Sequence, residues 1–291
     1  MSLPVFYSSR YEINLPGHIW PTMKYRLIAG RMAGEPIRLI EPCEASWQDL
    51  ALVHTAEYLD KIRTNRLSAN DITTLELPWT ADLGDAFRLM VGGTCQAAAT
   101  SLEDGATAHL GGGLHHAFAN HGEGFCPFND VAVAIRVLQR DRRLRRAAIV
   151  DCDVHHGNGT AMIFERDPDV FTFSIHQQHN YPAFKPGSDL DVGLEDGAGD
   201  DRYLTALAAA LPRVMDSAPE LILYLAGADP FEDDRLGGLA VTKRALEERD
   251  VMVVRAARGA GVPLAVVLAG GYAVNMTDTV DVHVATIRAL L

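Results

Sequence analysis

AAIVDCDVHHGNG, residues 147–159, decides how this chain is built. Its opening run, Ala147 to Val150, is short, apolar and abruptly followed by polar residues, which reads as a buried strand. If that strand runs on, Asp151, Asp153 and His155 alternate and point to one face. Working outward, runs of the same kind stand at Ile37–Ile40, Ala106–Leu110, Val170–Ile175, Leu221–Leu225 and Leu264–Leu268. Helical periodicity fills most of the intervals, at Asp85–Leu102, Asn129–Leu138, Asp201–Met215, Thr242–Arg258 and Thr277–Leu291. Ser46 with Asp49 predicts one more capped helix, reaching Tyr58. Strands alternating with helices predict an α/β fold whose mainly parallel sheet is covered on both faces.

In such sheets ligands sit beyond the carboxyl ends of the strands. Four strand ends carry unusual sequence: GGGLHH at 111–116, DCDVHHGNG at 151–159, AGADP ending at Asp229 and Pro230, and AGGY ending at Tyr272. A parallel sheet brings all four to one rim. Eight of the eleven histidines fall between His109 and His179, a concentration that points to metal binding or proton transfer. Asp153 and His155 offer a cation one oxygen and one nitrogen, and Asp229 would complete three protein ligands with a place left for water. Reading Asp153 and His155 as simple helix caps would leave two acids and a histidine at a sheet rim unexplained. His115 and His116 follow three glycines and are candidates to divide general-base and general-acid work. Asp151 and Asn158 are the candidates to orient them, because a catalytic imidazole needs a partner that fixes its tautomer. Tyr272 is placed to donate a hydrogen bond to a developing oxyanion.

The chain has 291 residues, of which 48% are hydrophobic and 22% charged, as a packed core requires and a disordered chain lacks. With 26 Lys and Arg against 38 Asp and Glu, its net charge of −12 excludes a nucleic-acid binder, whose work rests on a basic field. The one basic run, Arg140, Arg142, Arg143, Arg145 and Arg146, is expected to be a solvated helix end. Cys43, Cys95, Cys126 and Cys152 form no CxxC pair and predict a reducing, cytoplasmic setting. The longest apolar stretch, near Val262–Val274, is broken by Pro263, Gly270 and Gly271, so no membrane span is expected. Without a repeat or a linker, residues 1–291 are expected to form a single domain.

Taken together, GGGLHH, GFCPFND at 124–130, DCDVHHGNG, the GAD of 227–229 and the GGY of 270–272 resemble the zinc-dependent histone deacetylase and acetylpolyamine amidohydrolase superfamily, in that family's order. The stretch GADPFEDDRLGGL at 227–239 is most similar to the class IV histone deacetylases and their bacterial relatives. The resemblance implies an arginase-like three-layer α/β/α domain that removes an acyl group, acetyl or longer, from lysine side chains by metal-activated water. It implies Asp153, His155 and Asp229 as zinc ligands, and ferrous iron suits the same set nearly as well. His116 becomes the general base and acid beside His115, and Tyr272 polarises the amide carbonyl. A structural potassium ion would take Asp151, Ser174 and Ile175, the first of which also orients His115. Phe125 would line the acyl-lysine tunnel, with Tyr181 or Phe184 opposite. Asn158 stands where many class I members carry aspartate. Class IV likeness adds long fatty acyl substrates, for which Gly111–Gly113, Gly122 and Gly124 would clear a groove walled by Phe125 and Leu114. Two other readings compete: a deacetylase of acetylpolyamines or related small amines, and a binding module for acyl-lysine that has lost turnover.

Overall fold

The computed structural model describes residues 2–291. Eight strands, β1 (Leu3–Phe6), β2 (Ile37–Ile40), β3 (Ala106–His109), β4 (Ala147–Asp151), β5 (Val170–Gln177), β6 (Leu190–Leu194), β7 (Leu221–Leu225) and β8 (Leu264–Val267), form one sheet in the order β2-β1-β3-β8-β7-β4-β5-β6. Every pairing is parallel. The central strands bury both faces with period two. Ala148, Val150, Ile222, Tyr224, Leu264 and Val266 enter one core with α1 (Lys24–Arg31), α8 (Asp200–Asp216), α9 (Lys243–Ala260) and α10 (Met276–Arg288). Their neighbours Ala147, Ile149, Leu221, Leu223, Ala265 and Val267 enter the other with α5 (Ala81–Asp104), α6 (Asp130–Arg140) and α7 (Asn158–Phe164). A third cluster, built on Trp20, Tyr58, Phe87 and Phe128, packs α2 (Trp47–Leu50), α3 (Ala56–Arg63) and α4 (Ala69–Leu75) beside the strand ends.

All six expected strands form. The two that sequence reasoning missed carry weak signals: β1, between β2 and β3, is four residues long and carries Pro4, and β6 is an edge strand interrupted by Asp191 and Gly193. Ser46 and Asp49 make the expected capping box, yet the helix stops at Leu50 instead of reaching Tyr58. Thr55 breaks it, capping α3 with its hydroxyl while its own N–H bonds Ala119 O across the fold. The basic run is exposed around the end of α6, as expected. Only Arg140 lies in a helix, and Arg143, Arg145 and Arg146 pair with Glu103, Asp169 and Glu220. All four cysteines are free thiols, and no helix among the described residues is long and apolar enough to cross a membrane.

His54 joins the loop before α3 to the segment leading into α6. Its Nδ1 donates to Phe118 O (3.0 Å) and its Nε2 accepts from Asn129 N–H (3.1 Å), so the ring is held neutral. Burial lowers its pKa from 6.5 to about 4. On acidification the unfolded chain takes the proton first. The stabilisation is therefore complete above about pH 6.5 and is lost as pH falls toward about 4, a change of about 3 kcal/mol. Urea unfolding at about pH 7.5 and about pH 4.5 should show that loss, and His54→Gln should flatten the slope. An unchanged slope in the variant would remove His54 from the acid transition.

Candidate active site

The sheet order makes the four unusual strand ends adjacent, because β3, β8, β7 and β4 are consecutive neighbours. Beyond β4, Asp151 Oδ1 accepts from Asp153 N–H (3.1 Å) and Asp153 Oδ1 accepts from His155 N–H (2.9 Å), so each side chain braces the next turn. Beyond β7, Asp229 Oδ1 accepts from Val154 N–H (3.0 Å). Beyond β8, Gly270 N–H donates to Asp153 Oδ2 (2.7 Å). Only glycine fits there: a Cβ would stand 1.8 Å from Asp229 Oδ2 and 2.6 Å from Asp153 Oδ2.

Asp153, His155 and Asp229 are buried, each offering a ligand atom within 4.8 Å of the others. His155 Nδ1 lies 3.0 Å from Asp153 Oδ1 and 3.4 Å from Asp229 Oδ2. Two donors of a tetrahedral zinc, each ~2.0–2.1 Å from the metal, stand ~3.3 Å apart. Asp229 Oδ2 has no hydrogen-bond partner among the described residues, and a buried carboxylate oxygen left bare is a place prepared for a cation. The electrostatics agree. Burial, then the charge of Asp153, pushes Asp229 up to about 7. Against the cost of burial, the two carboxylates raise His155 to about 10. The site holds a proton avidly where a divalent ion would replace it.

The GGGLHH loop is pinned from behind by Asp130, the first residue of α6. Its carboxylate accepts from Gly113 N–H (3.0 Å), Leu114 N–H (2.7 Å) and Thr94 Oγ1 (2.6 Å). The loop presents two imidazoles with ring centroids 4.1 Å apart. His115 Nδ1 meets Asp151 Oδ2 at 2.7 Å, and although burial opposes it, Asp151 and Asp153 raise this histidine to about 9. His116 Nδ1 meets the neutral Asn158 Oδ1 at 2.8 Å. Burial, with the charges of His115 and His155, holds it well below the usual histidine range. One dipeptide thus carries a ring whose proton a carboxylate favours and a ring that burial disfavours protonating.

These residues face a cavity of about 180 Å³, lined also by Gly124, Phe125, Leu114 and Tyr272. Tyr272 N–H donates to Asp234 Oδ2 (2.6 Å), and burial near Asp153 and Asp229 keeps its phenol protonated far above pH 10. Of the two aromatic candidates, Tyr181 lines the cavity and stacks edge-on to His116 at 5.0 Å, whereas Phe184 is exposed. Asp151 and Asn158 stand behind the imidazoles. Ser174 is the register partner of Asp151, and the side chain of Ile175 lies in the core, leaving only its backbone for a ligand. One expectation fails in part: Gly124 keeps space between His116 and Tyr181, but three of the other glycines do not clear a groove. Added Cβ atoms would strike Asp130 Oδ2 at 2.3 Å from Gly112, Ala269 Cα at 2.7 Å from Gly113 and Tyr58 Oη at 2.7 Å from Gly122. Close packing of the loop explains them.

Three participants were not singled out from sequence. Glu123 Oε1 accepts from Asn158 Nδ2 (2.7 Å) and Tyr181 Oη (3.2 Å). Lys24 is fully buried, donates from Nζ to Ala269 O (2.9 Å) and sits 5.9 Å from the Tyr272 ring centroid; burial lowers it to about 8. Asp130 is the third. Asp130 closes the GFCPFND motif but was given no role there, and no local pattern marks the other two, since an acid before a glycine or a lysine at a helix start reads as surface.

A site of this kind on an eight-stranded parallel sheet defines an amide-hydrolysing class, and the whole chain agrees. It matches the histone deacetylase domain over residues 18–287. It is 40% identical over 289 residues to an uncharacterised protein of Picosynechococcus sp., covering 97% of this chain and 96% of that one. To Histone deacetylase 2 of Arabidopsis thaliana it is 31% identical over 286 residues, covering 92% and 74%. The crystal structure of the HDA15 HD domain superposes with a TM-score of 0.81 at 26% identity, over 99% of this chain and 90% of that one. The chain belongs to the histone deacetylase and acetylpolyamine amidohydrolase superfamily, with its arginase-like α/β fold and its deacetylase type of amide hydrolysis.

Proposed function

We propose that this protein is a zinc-dependent hydrolase that removes a short acyl group from lysine side chains. The observation that carries the reading is the pair of adjacent histidines, one bonded to the carboxylate of Asp151 and the other to the neutral amide of Asn158, on the same cavity as Asp153 and His155, with Asp229 just behind them. When bound by those three residues, zinc supplies a Lewis acid for the acyl carbonyl and lowers the pKa of the attacking water. His116, neutral and with Nδ1 engaged by Asn158, has Nε2 free to take the water's proton and return it to the departing amine. Protonated His115 stabilises the negative charge that develops on the substrate. Tyr272 donates to the oxyanion and makes that bond mainly in the transition state. Phe125, Tyr181 and Leu114 give the lysine stem an apolar wall, and Gly124 leaves room between His116 and Tyr181. Asp151 with Ser174 and the Ile175 backbone is the candidate potassium site.

The cavity of about 180 Å³ has room for an acetyl group, and Gly112, Gly113 and Gly122, packed against Asp130, Ala269 and Tyr58, supply no groove for a long chain. Acetyl-, octanoyl- and dodecanoyl-lysine in one peptide, beside acetylated polyamines, test this with a single metal-quantified sample. The acetyl peptide should give the highest kcat/KM. Preference for the polyamines would move the substrate class, and no turnover at full zinc content would leave a binding module.

Glu123 makes a sharper test of the His116 environment. Asn158→Asp would set a carboxylate against Glu123 Oε1 where an N–H now donates, so the single variant should lose ~10-fold or more in kcat/KM, and Glu123→Gln in the same chain should restore most of it. If Asn158→Asp is fully active alone, Glu123 does not hold that amide.

A further inference from the structure

A second set of ligand atoms lies at the other end of the same loop. Ser174 and His176 share one face of β5, and the register places Asp191 of β6 opposite Ser174, so all three face the same way. His156, next in chain to His155, packs edge-on against His176 with ring centroids 4.7 Å apart. His156, His176 and Asp191 each offer a ligand atom within 4.8 Å of the others.

Both histidines are buried, at 1% and 2% exposure. Ser174 Oγ meets His176 Nδ1 at 2.9 Å, which engages that nitrogen and leaves Nε2 as the free one. Neither ring nitrogen of His156 has a hydrogen-bond partner among the described residues. An imidazole buried with no well-aligned hydrogen bond, and one carboxylate as its polar neighbour, is poorly compensated for its desolvation. Its Nε2 stands 3.2 Å from Asp191 Oδ1, an ion-pair distance. That separation is what two donors show when they share a tetrahedral ion, ~3.3 Å. Asp191 keeps a 32% exposed side chain and opens the cluster to solvent.

We propose that His156, His176 and Asp191 form a second metal site, separate from Asp153, His155 and Asp229, for a divalent ion of the zinc, cobalt or nickel type. Two imidazoles select such ions over magnesium or calcium, which prefer oxygen. The site shares no ligand with the candidate potassium set. Because His156 is covalently next to His155, an ion here ties β5 and the edge strand β6 to the loop carrying the first centre.

Metal-stripped full-length protein titrated with zinc alone, then dialysed and counted by mass spectrometry, tests the site. The wild-type chain should retain about two equivalents, while Asp191→Asn and His176→Gln should each retain about one. Asp229→Ala should also retain about one, and zinc should still raise its melting temperature, an increase that adding Asp191→Asn abolishes. Asp191 lies on an edge strand and is partly exposed, so Asp191→Asn keeps the test decisive if His176→Gln fails to fold. A wild-type chain holding one equivalent, lost in Asp229→Ala and kept in Asp191→Asn, overturns the second site. One equivalent kept in Asp229→Ala and lost in Asp191→Asn upholds it and sinks the first ligand set instead.

Discussion

Asp229→Ala should abolish hydrolysis and empty the Asp153, His155 and Asp229 centre of zinc. The three ligands come from two strand ends that meet only through the sheet, and no two of them make a site. Loss of even an outer partner of a metal ligand costs ~10–100-fold in affinity or activity, so loss of a direct ligand should exceed ~100-fold. Stability should not follow activity. Asp229 is buried beside Asp153 and held at about 7, so the metal-free protein bears a like-charge cost there. Asp229→Asn keeps an acceptor for Val154 N–H and relieves that repulsion. It should melt no lower than metal-free wild type while remaining inactive, as a site strained for function predicts. Metal analysis, a thermal melt and one assay check all three statements. An active Asp229→Ala protein with a full zinc complement would sink the ligand assignment.

Tyr272→Phe should lower turnover by ~10²–10³-fold and leave KM nearly unchanged, because it removes one donor aimed at charge that appears only in the transition state. The ring should stay in place. Its backbone N–H is held by Asp234 Oδ2, and its face packs edge-on to Phe125 at 6.1 Å. A fall in kcat with KM preserved separates this role from a packing role, which would raise KM or lower the melting temperature. Near-normal turnover in the Phe variant would take Tyr272 out of the chemistry.

Much of this was legible in the chain itself because the governing information is local. Alternation along a strand puts Asp151, Asp153 and His155 on one side whatever the sheet does elsewhere, and apolar runs of four or five residues between helical periods admit little besides a covered parallel sheet. The weak elements were lost for equally local reasons. Asp191 and Gly193 break the apolar signal of β6, and Asn158 and Gly159 open α7 with poor helix formers.

Sequence alone determined the strands that end in chemistry, the residue types at each end and their order along the chain. Tertiary structure decided who faces whom. The order β3-β8-β7-β4 brings Asp229 within 3.4 Å of His155, and the packing of the GGGLHH loop turns its glycines from open groove into contact surface. Glu123 reaches Asn158 across 35 residues, and the chain turns Tyr181 inward and Phe184 out. Such pairings depend on strand order, loop closure and the desolvation of particular atoms, which are properties of the assembled fold that no spacing along a chain encodes.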